Sequence, residues 1–110
     1  KTAESAQMKA RLAAIEPYPP FYYFNRGMTA MEKGEYETAR SLFAKEVKRA
    51  PFNHEFHFWL GIAHWRLGDG RRAHEELKLA LDTSTTATSS QRYSAKLSQL
   101  KGGSARKRVH

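Results

Sequence analysis

Residues 26–34 read Arg26-Gly27-Met28-Thr29-Ala30-Met31-Glu32-Lys33-Gly34, and residues 60–68 read Leu60-Gly61-Ile62-Ala63-His64-Trp65-Arg66-Leu67-Gly68. Laid over each other at an offset of 34 residues, the two runs share a glycine at both ends. Further out, the same offset sets Phe24 on Phe58, Ala39 on Ala73, Phe43 on Leu77 and Val47 on Leu81. A fixed period of this length marks stacked helical hairpins, each repeat being one supersecondary unit. The repeated stretch runs from Tyr23 to Ala80, and the rest of the chain is arranged around it.

These residues resemble the tetratricopeptide repeat (TPR) family. Its repeat carries a bulky residue early in helix A, a small residue four positions later and a turn glycine. An alanine and an aromatic or leucine follow in helix B, then a closing proline. The first copy shows Tyr23, Gly27, Ala30, Gly34, Tyr36, Ala39, Phe43 and Pro51. The second shows His57, Leu60, Gly61, Gly68, Ala73, Leu77 and Ala80. It departs from the pattern at His57, at His64, at Gly70 where an aromatic is usual, and at Thr85 where proline is usual. Arg26 stands where the family mostly has leucine. The resemblance covers residues 20–101. It implies an all-α fold: a right-handed superhelix of two helix–turn–helix hairpins, with an N-terminal flanking helix and a C-terminal capping helix.

Each motif residue has a physical task. Gly27, Gly61, Ala39 and Ala73 are small where helix A and helix B of one hairpin cross, which keeps the axes within about 8–10 Å. Phe43 and Leu77 lie at i+4 from the alanines, on the same helix face, and fill the gap against the following repeat. Gly34 and Gly68 stand where helix A stops, a place for a residue that tolerates positive φ. Glu35 and Asp69 open helix B, where negative charge suits the helix start. Pro51 cannot continue helix B. No hairpin of this kind buries its apolar face alone, so stability comes from stacking.

Taken in order, the chain divides into a flanking segment (1–16), repeat one (20–53), repeat two (54–87), a capping helix (88–101) and a basic tail (102–110). Residues 3–16 read as a helix, with Met8, Leu12 and Ile15 in one stripe. Pro17-Tyr18-Pro19-Pro20 ends it. The first pair of helices falls at 21–33 and 36–49, the second at 54–67 and 70–82. Thr83 to Ser90 is a loop rich in capping residues, with Thr88, Ser89 or Ser90 as the cap of the next helix. That helix carries Tyr93, Leu97 and Leu100 as its apolar stripe and ends at Gly102-Gly103, leaving Ser104 to His110 as a mobile end. The chain opens at Lys1 in a helical pattern, which reads as a piece of a longer or processed protein.

Composition bounds the function. The chain has 110 residues, suited to one domain, and no cysteine, which excludes disulfides, thiol nucleophiles and cysteine metal sites. No apolar run approaches the ~18 residues that a membrane span needs, and no signal peptide is visible. The expectation is therefore a soluble chain of unspecified compartment. The net charge of +8 is concentrated: Arg92, Lys96, Lys101, Arg106, Lys107 and Arg108 lie after residue 83, where there is no acid.

Signs of catalysis are weak. His54-Glu55-Phe56-His57 is one residue short of the zinc-binding His-x-x-x-His spacing. His57 and His64 share a helix face but supply only two ligands, where zinc takes three or four from protein. They read as packing residues, and His74 as solvent-facing or paired with an acid. No metal, no cofactor and no catalytic residue is assigned. Both aspartates, Asp69 and Asp82, fall at helix ends.

Binding is the function the sequence favours. In TPR arrays the A helices line the concave side. By that resemblance Phe24, Met28 and Met31 come from the first A helix, Phe58, Ile62 and Trp65 from the second, and Arg92 and Lys96 from the capping helix. This is an aromatic and thioether groove with a basic end, suited to an apolar and acidic-ended protein or peptide, or to another domain of the same chain. Phe24 and Met28 stand where the chaperone-tail-binding TPR subclass places the first lysine and asparagine of its carboxylate clamp, which argues against that subclass. Self-association as a homo-oligomer is a second reading. Nucleic-acid binding through the basic end is a third and is disfavoured, because the tail lacks aromatics for base stacking.

Overall fold

The computed structural model describes residues 19–109, with side-chain surroundings through Leu100. The N-terminal helix expected over 3–16 lies outside the described residues. The described chain holds helices α1 (Tyr22–Glu32), α2 (Tyr36–Arg49), α3 (His54–Arg66), α4 (Gly70–Thr83) and α5 (Ala87–Val109). There is no strand among the described residues. Each helix packs on its successor, α1 on α2 through to α4 on α5. The molecule is thus two hairpins in series with a closing helix, and the fold is all-α as expected.

Both hairpin turns are built the same way. Gly34 and Gly68 sit at φ 77° and 86°, in the left-handed region. At the first turn Gly34 N–H donates to the Met31 carbonyl and Glu35 N–H to the Ala30 carbonyl. At the second, Gly68 N–H donates to the Trp65 carbonyl and Asp69 N–H to the His64 carbonyl. This double bond satisfies carbonyls that a helix end otherwise leaves open. Asp69 then caps α4, its Oδ1 accepting from Arg72 N–H at 3.1 Å, and Asn53 caps α3 through Glu55 and Phe56. Glu35 makes no side-chain cap to α2. The cap of α5 is also displaced from expectation: Ser89 N–H donates to Thr86 Oγ1, so the helix starts before the predicted Thr88–Ser90.

The core is two clusters that share a border. One holds Ala30, Ala39, Phe43, Leu60 and Ala63 between α1, α2 and α3. The other holds Phe58, Ile62, Ala73, Leu77, Ala80, Tyr93 and Leu100 between α3, α4 and α5. Phe43 and Leu77 are fully buried, as the repeat pattern requires of its gap-fillers. Helix α5 closes the second cluster with the Tyr93 ring stacked on Phe58 at 4.9 Å and its hydroxyl 2.6 Å from His54 Nδ1. Burial pushes the Tyr93 phenol up, so it stays protonated and can donate to that nitrogen. Beyond Leu100 the helix passes through Gly102 and Gly103 and runs to Val109. The sequence reading ends it at those glycines and leaves a tail; the segment is helical instead. A glycine in a helix interior costs about 1 kcal/mol relative to alanine, which weakens a helix without stopping it.

Helix crossing depends on two missing side chains. A Cβ on Gly27 would lie 2.6 Å from Phe43 Cε1, and one on Gly61 would lie 3.2 Å from the Ala73 carbonyl oxygen and 3.1 Å from Leu77 Cγ. Gly27→Ala must therefore displace a fully buried ring, a form of overpacking that costs about 1–3 kcal/mol. Urea unfolding of the variant is expected to show a midpoint lowered accordingly, with the helical circular dichroism of the folded state retained.

Candidate protein-interaction face

The first turn of α1 is positioned by the chain before it. Tyr22 N–H donates to the Pro19 carbonyl across Pro20 and Phe21, and Phe21 sits at φ 69°. Proline at the second place and positive φ at the third make a type II turn, here with phenylalanine where glycine is usual. Phe21 packs edge-on against Phe24 and Phe56, at 6.0 and 5.5 Å between centroids. No side chain of α1 caps its start. The cap comes from α2: Phe24 N–H donates to Oε2 of Glu46 at 2.9 Å. Glu46 is 2% exposed and its other oxygen pairs with Arg49, whose guanidinium also donates to the Pro19 carbonyl. A buried carboxylate thus fixes where α1 begins and how Phe24 is presented.

The eight residues expected in the groove separate into three groups. Phe24, Met28, Met31 and Trp65 are half-buried, each seated on a core cluster. Phe24 lies among Phe43 and Phe56, at 5.8 and 5.4 Å. Phe58 and Ile62, in contrast, are 6% and 7% exposed. They are core residues, not groove residues, because Tyr93 and Leu100 of α5 join the same cluster and close over them. Arg92 is exposed and Lys96 half-buried on α5, either side of the buried Tyr93.

One residue of this face was not found by repeat alignment. Trp59 is half-buried and packs against both clusters, with its ring 6.4 Å from Phe43 and 5.2 Å from Phe58. Met31 likewise touches both clusters. α1 thus contributes the half-buried Phe24, Met28 and Met31, and α3 the half-buried Trp59 and Trp65. The edge of this face is cationic, since the Arg66 guanidinium lies over the Trp65 and Tyr36 rings at 5.7 and 5.6 Å.

Besides His54, α3 carries two more histidines. His57 is buried with both ring nitrogens engaged, Nδ1 at 2.8 Å from Glu76 Oε1 and Nε2 at 2.6 Å from the Pro51 carbonyl. The Glu76 hydrogen bond holds its pKa above the usual 6.5. His64 is buried too, and its Nδ1 finds no hydrogen-bond partner among the described residues. Burial pushes its pKa down, so it sits neutral. His74 is exposed. No group of three or more histidine, cysteine or acidic side chains able to hold a metal is present among the described residues, and no helix there is long and apolar enough to cross a membrane.

A family model described as Tetratricopeptide repeat matches residues 24–88, more than half of the chain, from the first turn of α1 to the first residues of α5. The chain belongs to the tetratricopeptide repeat family. No curated protein matches it. TPR units are generally protein-interaction modules and typically non-catalytic scaffolds, which agrees with the apolar, half-exposed face just described. The match ends at residue 88, so it assigns no role to the long basic helix that follows.

The neutral His64 gives a signed prediction. Its folded pKa is depressed, so the unfolded chain takes up a proton first as pH falls below about 6.5, and the folded state loses stability from there down to the folded value. His64→Leu removes this loss. Thermal melts are expected to show the variant gaining on the wild type at about pH 5 and gaining less at about pH 7.5.

Proposed function

We propose that this TPR array is a non-catalytic module that docks an apolar segment of a protein or a neighbouring domain on the face formed by α1 and α3. The observation that carries the reading is that Phe24, Met28, Met31, Trp59 and Trp65 are all partly exposed while resting on buried side chains. Such residues offer a partner large contact area at little entropic cost, because the core already holds them in place. Indole rings are enriched at binding hot spots, and thioethers adapt to irregular surfaces. Arg66, Arg92 and Lys96 add a cationic margin, which favours acidic residues flanking the apolar segment and speeds association.

The test is selection from a random peptide display library, followed by fluorescence polarisation with the enriched peptides. Enriched sequences should combine aromatic or aliphatic residues with acidic flanks. Trp65→Ala and Met28→Ala should each weaken binding by about tenfold or more, a loss of about 1.4 kcal/mol, with unchanged circular dichroism. Phe58→Ala serves as the contrast: emptying a core site costs about 3–5 kcal/mol of stability, so it should lower the melting temperature first. Peptides that bind both groove variants as well as they bind the wild type would remove the face from consideration.

A further inference from the structure

The two short contacts of His57 have a consequence for its charge. A backbone carbonyl can only accept, so the Nε2 that faces Pro51 at 2.6 Å must carry hydrogen. An ionised carboxylate can only accept as well, so the Nδ1 that faces Glu76 at 2.8 Å must carry hydrogen too. A neutral imidazole has one N–H and would leave a bare lone pair against an oxygen at one of the two sites. The side chain is 6% exposed, which leaves water little access to relieve that conflict. Among the described residues, Glu76 from α4 is the charged group in contact with the ring, while the turn before α3 presents the uncharged Pro51 carbonyl. Two helical turns along α3, the neutral His64 feels Glu76 as well, together with Asp69, Arg40 from α2 and Arg72 from α4.

We infer that His57 is held as an imidazolium at neutral pH, and that this cation is a proton-dependent strut tying the turn between the hairpins to α3 and α4. The position makes the strut more than a local bond. Pro51 ends the first hairpin, His57 lies in the first helix of the second, and Glu76 lies in that hairpin's other helix. One proton therefore supports three segments: the turn between the hairpins, α3 and α4. Loss of the proton removes one of the two bonds and leaves a buried acceptor facing an acceptor. The raised pKa agrees in direction. It also gives the sign: the strut's stability is full below the unfolded value of about 6.5 and is lost as pH rises through the folded value. His64 acts with the opposite sign, so repeat two is steadiest in the interval between the two transitions.

The test uses the full chain labelled with nitrogen-15, read by long-range nitrogen–proton correlation of the histidine rings at about pH 7. His57→Gln assigns the His57 signals by their disappearance. Both His57 nitrogens should appear protonated, with a titration midpoint above about 6.5 that Glu76→Gln lowers. Thermal melts of the wild type should decline from neutral to alkaline pH, and His57→Gln should lack that decline. A single ring proton on His57 at about pH 7, or a midpoint that Glu76→Gln leaves in place, overturns the inference. The wild-type spectra and Glu76→Gln decide the matter even if His57→Gln fails to fold.

Discussion

Two helices can cross as closely as α3 and α4 do only where one of them lacks a side chain. With the Ala73 carbonyl oxygen and Leu77 Cγ just over 3 Å from a Cβ on Gly61, a methyl group fits in the hairpin only if these neighbours give by a few tenths of an ångström. The same constraint holds at Gly27, where the obstacle is the Phe43 ring. From these crossings the rest follows. The close pair fixes the direction of each helix, and the direction decides which side chains meet the next hairpin. Phe43 of α2 shares a cluster with Leu60 of α3, and Leu77 of α4 shares one with Tyr93 and Leu100 of α5. Cores in such arrays grow by adding neighbours, not by enlarging a centre.

The polar groups inside this core have separate tasks, although each replaces a residue of another kind in the repeat pattern. Glu46 stands at the position of Ala80 in the second copy and supplies the helix cap that α1 lacks. His57 stands at the position of Tyr23 and holds a turn. His64 stands at the position of Ala30, and its Nδ1, without a hydrogen-bond partner among the described residues, is a cost. The repeat period fixes where these side chains point. What they do there depends on the neighbours each copy happens to have.

That distinction also explains what could be read from the sequence. Helix boundaries of the two hairpins were legible because they rest on local chemistry: glycine at positive φ, Asp69 at a helix start, Pro51 after a helix end. The closing helix was harder. Its Gly102-Gly103 looks like the earlier stop signals, yet the helix runs through it. Of the proposed face, Phe24, Met28, Met31 and Trp65 were singled out from register, and they are half-buried. Phe58 and Ile62 were misassigned because register says which side of a helix a residue lies on, not how far α5 reaches over it. Trp59 was missed because its counterpart in the first copy is the polar Asn25, so the column carried no apolar signal. Glu46 had no signal either, since a glutamate in a helix rich in charge looks solvated until its partner is placed.

Met31 and Trp59 each belong to both core clusters. In a linear array the tendency of units to melt together or one at a time is set by the coupling between neighbours. Here two of the side chains that join neighbouring clusters are also partly open to solvent. Whatever packs against them from outside tightens the joint between repeats as well as its own contact. Under the docking proposed for this face, recognition and cooperativity in this small array draw on the same atoms, and evolution of the one cannot proceed without altering the other.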